Sequence, residues 1–132
     1  MAVDTSVAVP LASKAHALQA WLSDWALGQD LWLAGHAAIE TYSVLTRLPG
    51  GLAVAAGDAQ RLLDETFAGT LPLTGTALAY RELARLGVSG GAAYDGLVAL
   101  AAREHAATLA TRDRRALATY EAVGASVRLL GD

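Results

Sequence analysis

The 132-residue chain contains no cysteine. Disulfides, thiolate zinc sites and a cysteine nucleophile are excluded together. Lysine is nearly as scarce: of ten basic residues only Lys14 is a lysine, and the rest are arginine. A phosphate-binding loop needs a lysine and a Ser/Thr after its glycines, and neither Gly50-Gly51 nor Gly90-Gly91 supplies them. A receiver-type signalling domain needs a lysine after a late strand, and Lys14 stands in the wrong place. No apolar run approaches the roughly 18 residues of a membrane span, and the opening MAVDTSVAVP lacks the basic stretch of a secretion signal. The chain is expected to be soluble and cytoplasmic, with no membrane association.

Charge is also in short supply. Only 17% of residues are charged against 54% hydrophobic, and the net charge is −3. That length and apolar content suit one core and a single domain over residues 1–132, with apolar surplus left for a partner interface. A negative balance argues against a broad nucleic-acid-binding surface. Yet Arg112, Arg114 and Arg115 crowd around one acid, so a local phosphate clamp stays open.

What is present reads as alternating strands and helices. Residues 1–4 suggest a first strand; Leu18, Trp21, Leu22 and Trp25 give a helix over 13–27, closed by Gly28. LWLA at 31–34 is a buried strand candidate. Ile39, Tyr42, Leu45 and Leu48 step by three in a 36–47 helix, with Ile39 inward, ahead of Pro49-Gly50-Gly51. A helix over 55–67, a strand at 71–73, a helical stretch over 75–86 and a helix over 92–105 follow. The end reads as a strand (107–111), a short helix (114–123) and a last strand (126–130). Such alternation predicts an α/β fold with a short, mostly parallel sheet flanked by helices on both faces.

Sites in open α/β sheets collect beyond the carboxyl ends of strands. Asp4 ends the first strand and Asp113 follows the strand at 107–111. Asp95 opens a helix whose next turn, Val98, Ala99 and Ala102, is apolar; Glu40 lies within the 36–47 helix. Each has a plain alternative. Asp4 can turn the chain, Asp113 can cap a helix, Asp95 can favour a helix N-terminus, and Glu40 can be a solvated residue. His36 and Glu40 are four apart, but two residues make no zinc site. The tryptophans read as core or interface, and the serines lack a His–Asp set for a hydrolase triad.

Together the four acids resemble the pattern of PIN-domain nucleases, particularly VapC toxins of VapBC toxin–antitoxin systems. The opening strand into Asp4-Thr5-Ser6 resembles the first motif, and Glu40 in AAIETYSVLTR the second acid. Tyr94-Asp95-Gly96-Leu97 is similar to the third, Thr111-Arg112-Asp113 to the fourth, and Gly124-Ala125-Ser126-Val127 to the closing turn and strand. Many relatives carry a further acid where this chain has Arg115.

The resemblance implies a magnesium-dependent ribonuclease, with manganese as the substitute. Asp4, Asp95 and Asp113 would be ligands, and Glu40 would orient or deprotonate the attacking water with a share in metal binding. Thr5 and Thr111 would orient carboxylates, and Arg112 would grip a phosphate or form a surface ion pair. Electrostatics agrees: two like charges about 4 Å apart repel by roughly 4 kcal/mol at an effective dielectric near 20, so four gathered acids call for a cation or for protons. Oxygen ligands suit magnesium or manganese over zinc. The implied partners are an RNA substrate, a VapB-like antitoxin lying across the acidic groove, and a second copy in a homodimer. The tryptophan-bearing face of the 13–27 helix is the expected contact. An RNA-processing nuclease outside any toxin system, or a catalytically impaired interaction module, are the alternatives.

Overall fold

The computed structural model describes residues 1–131; Asp132, the last residue of the expected domain, lies outside the described residues. Five strands of two or three residues form its centre: β1 (Ala2–Val3), β2 (Trp32–Ala34), β3 (Gly69–Leu71), β4 (Leu109–Thr111) and β5 (Val127–Leu129). They run in the order β3-β2-β1-β4-β5, and every pairing is parallel. Ala2 lies opposite Trp32 and Leu109, and Val3 opposite Leu33 and Ala110. Because side chains alternate along a strand, Ala2, Ala34 and Leu109 enter one core while Val3, Leu33 and Ala110 enter the other.

Helices close both cores, as the alternation of elements predicts. On the Val3 side α1 (Thr5–Ala12) contributes Val7 and Leu11, α2 (Gln19–Ala26) Leu22, α3 (Ala37–Thr46) Leu45, and α4 (Ala56–Thr66) Ala59. On the Ala2 side α5 (Ala79–Arg85) contributes Leu83, α6 (Ala92–Glu104) Val98 and a run of alanines, and α7 (Leu117–Val123) Tyr120 and Val123. The small residues of α6 let it approach closely. A Cβ on Gly96 would meet Leu83 Cδ2 at 2.6 Å, and one on Gly35 would meet Ala101 Cβ at 2.9 Å.

Four expectations need correction. Residues 5–12, which the apolar spacing leaves without an element, form α1 despite Pro10 within it; Asp4 caps its start by accepting from the Ser6 N–H. The helix expected over 13–27 is confined to Gln19–Ala26, and β3 begins two residues before the expected 71–73 strand. Ile39, expected inward, is exposed, whereas Glu40 beside it is half-buried. The face of α3 that meets the protein is the one carrying Ala37, Thr41 and Leu45.

Strand order also fixes where a site can lie. The chain builds outward from β1 through β2 to β3, then returns to place β4 on the other side of β1. Connections from β1 and β4 thus leave on opposite faces, opening a crevice at their carboxyl ends. Asp4 follows β1, and Arg112 and Asp113 follow β4.

Candidate active site

Asp4 is almost fully buried, at 4% exposure, just beyond the carboxyl end of β1. Its Oδ1 accepts from the Ser6 N–H at 3.0 Å and the Ser6 hydroxyl at 2.6 Å. Its Oδ2 accepts from the Thr111 hydroxyl and from the Tyr120 hydroxyl at 2.7 Å. Four donors match the roughly four lone-pair positions of a carboxylate. A buried carboxylate needs such compensation, because burial without partners costs several kcal/mol.

The same hydroxyls tie β1 to β4. Ser6 Oγ lies 3.3 Å from Thr111 Oγ1 and accepts from the Arg112 N–H at 2.8 Å. Thr111 Oγ1 in turn accepts from the Asp113 N–H at 3.0 Å. Asp113 is then placed by its own turn: its Oδ1 accepts from the Arg115 N–H at 3.0 Å, capping the short 3-10 turn over Arg114–Ala116. Asp113 is thus the cap that its plain reading expects, and Asp4, expected only to turn the chain, caps α1. The cap at Asp113 uses its Oδ1, whereas both oxygens of Asp4 are engaged by protein donors.

Glu40 and Asp95 enter from the other two sides. Glu40 sits in the first turn of α3, where Thr5 donates to its Oε2 at 3.1 Å. Its Oε1 is buried without a hydrogen-bond partner, and His36 Nε2 lies 3.8 Å away. Asp95 opens α6. Burial pushes its carboxyl above the ordinary range, and the charges of Glu40, Asp113 and Asp4 push it further, while Arg115 opposes them. The other three acids thus lie within electrostatic reach of Asp95. Among the described residues no group of three or more acidic or imidazole side chains is placed so as to hold a metal ion. Magnesium asks for less, since it keeps several waters and uses one or two carboxylates plus substrate phosphates.

Arg112, a half-buried residue, has a second orphaned polar atom: Nε is buried with no acceptor. Arg115, where an acid is common in the resembling family, bridges Asp113 through Nε at 3.3 Å with its side chain 93% exposed. Tyr120 and Ser6 are the residues that sequence reasoning missed. Tyr120 reads as an apolar position of a short helix, and nothing local signals that its hydroxyl ends on Asp4. Its own pKa is raised well above the usual phenol value, by burial first and then by Asp4's charge and hydrogen bond, so it remains a donor.

This arrangement can be compared with known proteins. The family model described as PIN domain matches residues 1–122. This chain is a PIN-domain protein of the VapC type. The PIN chain is 52% identical over 129 residues to Ribonuclease VapC27 of Mycobacterium tuberculosis (strain ATCC 25618 / H37Rv), covering 96% of this chain and 94% of that protein. It is 44% identical over 110 residues to Ribonuclease VapC40, in both the CDC 1551 / Oshkosh and the H37Rv strains of the same species, covering 80% of this chain and 81% of the relative. In this PIN domain the acids, Ser6 and Tyr120 all fall within the matched span.

Proposed function

We propose that the chain is a divalent-metal-dependent endoribonuclease, magnesium being the expected ion and manganese its substitute. It would act as the toxin of a type II toxin–antitoxin pair. The observation that carries this reading is Asp95: its carboxyl is held high by burial and by three other acids, beside a Glu40 oxygen with no hydrogen-bond partner. Such a cluster is tolerable with a cation among its members, and an all-oxygen donor set suits a hard ion. The relatives bear the name ribonuclease.

Asp95 and Asp113 would hold the ion, directly or through water, and Asp4 would join them where the ion or its water takes the place of one of its hydroxyl donors. When bound, it supplies charge neutralisation at the phosphodiester and a lowered pKa for the attacking water. The protein's own groups do the rest. Thr5 fixes one oxygen of Glu40, leaving Oε1 to accept the proton of the attacking water. Arg112 Nε, lacking an acceptor, would donate to a phosphate oxygen. Tyr120 and Thr111 hold Oδ2 of Asp4 in place. The partners that follow are RNA, a VapB-like antitoxin and a second copy of the chain, in the cytoplasm. No helix among the described residues is long and apolar enough to cross a membrane.

The test is RNA cleavage by the purified protein with magnesium and with chelator, the product ends being sequenced. Glu40→Gln should lower the rate by about 10²- to 10⁴-fold, the usual span for a lost general base. Equal cleavage in both lanes, or full activity in Glu40→Gln, would remove the reading. Growth arrest on induction, relieved in Glu40→Gln and by a co-expressed antitoxin, tests the toxin role.

A further inference from the structure

Two rings stand at the rim of the acidic centre, and the chemistry above uses neither. Tyr94 is 59% exposed, and its ring stacks on His36 with centroids 5.6 Å apart and planes 26° apart. Core packing does not account for so exposed a tyrosine. Both rings hang from the backbone that carries the acids. Tyr94 directly precedes Asp95, and His36 lies one turn before Glu40, with Nε2 3.8 Å from its Oε1. From His36 a groove of about 380 Å³ runs on between Gly35, Ile39, Pro72 and Leu97, with the exposed Ile39 as an apolar wall.

Charge sets what this rim has to provide. A chain of net charge −3 gains little from counterion release on a polyanion. Of the arginines beside the centre, Arg115 is already engaged with Asp113. Arg112 is assigned to a single phosphate, so affinity for RNA gains from a second source that does not depend on charge. Unstacked bases of single-stranded RNA provide one, because they stack on tyrosine and histidine rings whatever their sequence. A duplex keeps its bases stacked on each other and would offer nothing to these rings.

We propose that the His36–Tyr94 pair is a stacking subsite for one unpaired nucleobase next to the cleaved phosphate, so that the substrate is single-stranded at that point. This inference rests on the ribonuclease reading. Its test compares initial rates in magnesium on an unpaired oligonucleotide spanning a mapped cut, and on copies with one abasic position flanking that cut. Tyr94→Ala should raise KM by about five- to hundredfold with kcat largely kept, the range of one lost base–ring stack. Tyr94→Phe should behave as the parent. One abasic position should impose the same loss on the parent and none on Tyr94→Ala, because ring and base are the two halves of one contact. Losses that simply add, or a fall confined to kcat, would overturn the subsite. So would an unchanged KM accompanied by a weakened dimer or weakened antitoxin binding, which would make the rings a protein contact. Parent protein without metal-dependent cleavage would remove the nuclease reading as a whole; normal parent cleavage with an unaffected Tyr94→Ala removes the stacking alone.

Discussion

Replacing Tyr120 with phenylalanine tests the account of Asp4 most directly. The substitution deletes one oxygen and leaves the ring, which is 1% exposed and fills the core between α7 and the sheet. Asp4 Oδ2 then loses a 2.7 Å donor in a place that water does not readily reach, and Thr111 remains as its other partner. A hydrogen bond to a charged group contributes about 1.5–3 kcal/mol. With roughly 4 °C of Tm per kcal/mol for a chain of this length, the expected fall is about 6–12 °C. Thermal melts followed by circular dichroism, in chelator so that a bound ion does not mask the loss, read this directly. The same substitution in an Asp4→Ala background should be neutral or stabilising, because removing both partners leaves no orphan. An unchanged Tm in the single variant, or an equal loss in both backgrounds, would refute the claim that the hydroxyl acts through Asp4.

Two further outcomes follow from the site and its frame. Asp95 has a raised pKa from burial and from Glu40, Asp113 and Asp4, so the folded protein holds its proton more tightly than the unfolded chain. The stability it contributes is fully present below the unfolded value of about 3.9 and is lost as pH climbs through the folded one. Asp95→Asn should therefore flatten the decline in stability toward neutral pH, measured by urea unfolding in chelator across a pH series; an unaltered slope would contradict this. Gly35 has φ +48° and its added Cβ would lie 2.9 Å from Ala101 Cβ. Gly35→Ala should cost about 1–2 kcal/mol for the left-handed backbone and a further 1–3 kcal/mol or so for overpacking. It should appear as a lowered Tm with faster amide exchange at the start of α3, and a wild-type Tm would show that the approach of α6 is less tight than described.

Where local pattern decides structure, the sequence was readable. Apolar spacing and the stop at Pro49-Gly50-Gly51 define α3, and the Gly90-Gly91 loop and apolar run define α6. The alternation of short strands with helices is enough for an α/β fold with both faces covered. Helix α1 escaped because its evenly apolar TSVAVPLA has no polar face to set a period, and Pro10 argues against a helix. Ile39 departs from its expected inward position for another reason. The register of α3 on the sheet is set by Ala37, Thr41 and Leu45, and the small side chains at 37 and 41 carry little hydrophobic signal. Asp4 and Asp113 stand out at strand ends, Asp95 at a helix start and Glu40 within a helix, and the resemblance adds Thr5 and Thr111; the hydroxyls of Ser6 and Tyr120 give no such signal. Tyr120 lies 116 residues from Asp4, and contacts at such separation leave no mark on local periodicity.

That separation bears on how the molecule is born. The first acid leaves the ribosome well before the threonine and tyrosine that seat it, which arrive 107 and 116 residues later. Until they arrive, the nascent segment holds an unsupported carboxylate and only part of its sheet. The crevice takes shape when β4 and α7 dock onto β1, so a chain interrupted before that point has no centre with which to cut anything.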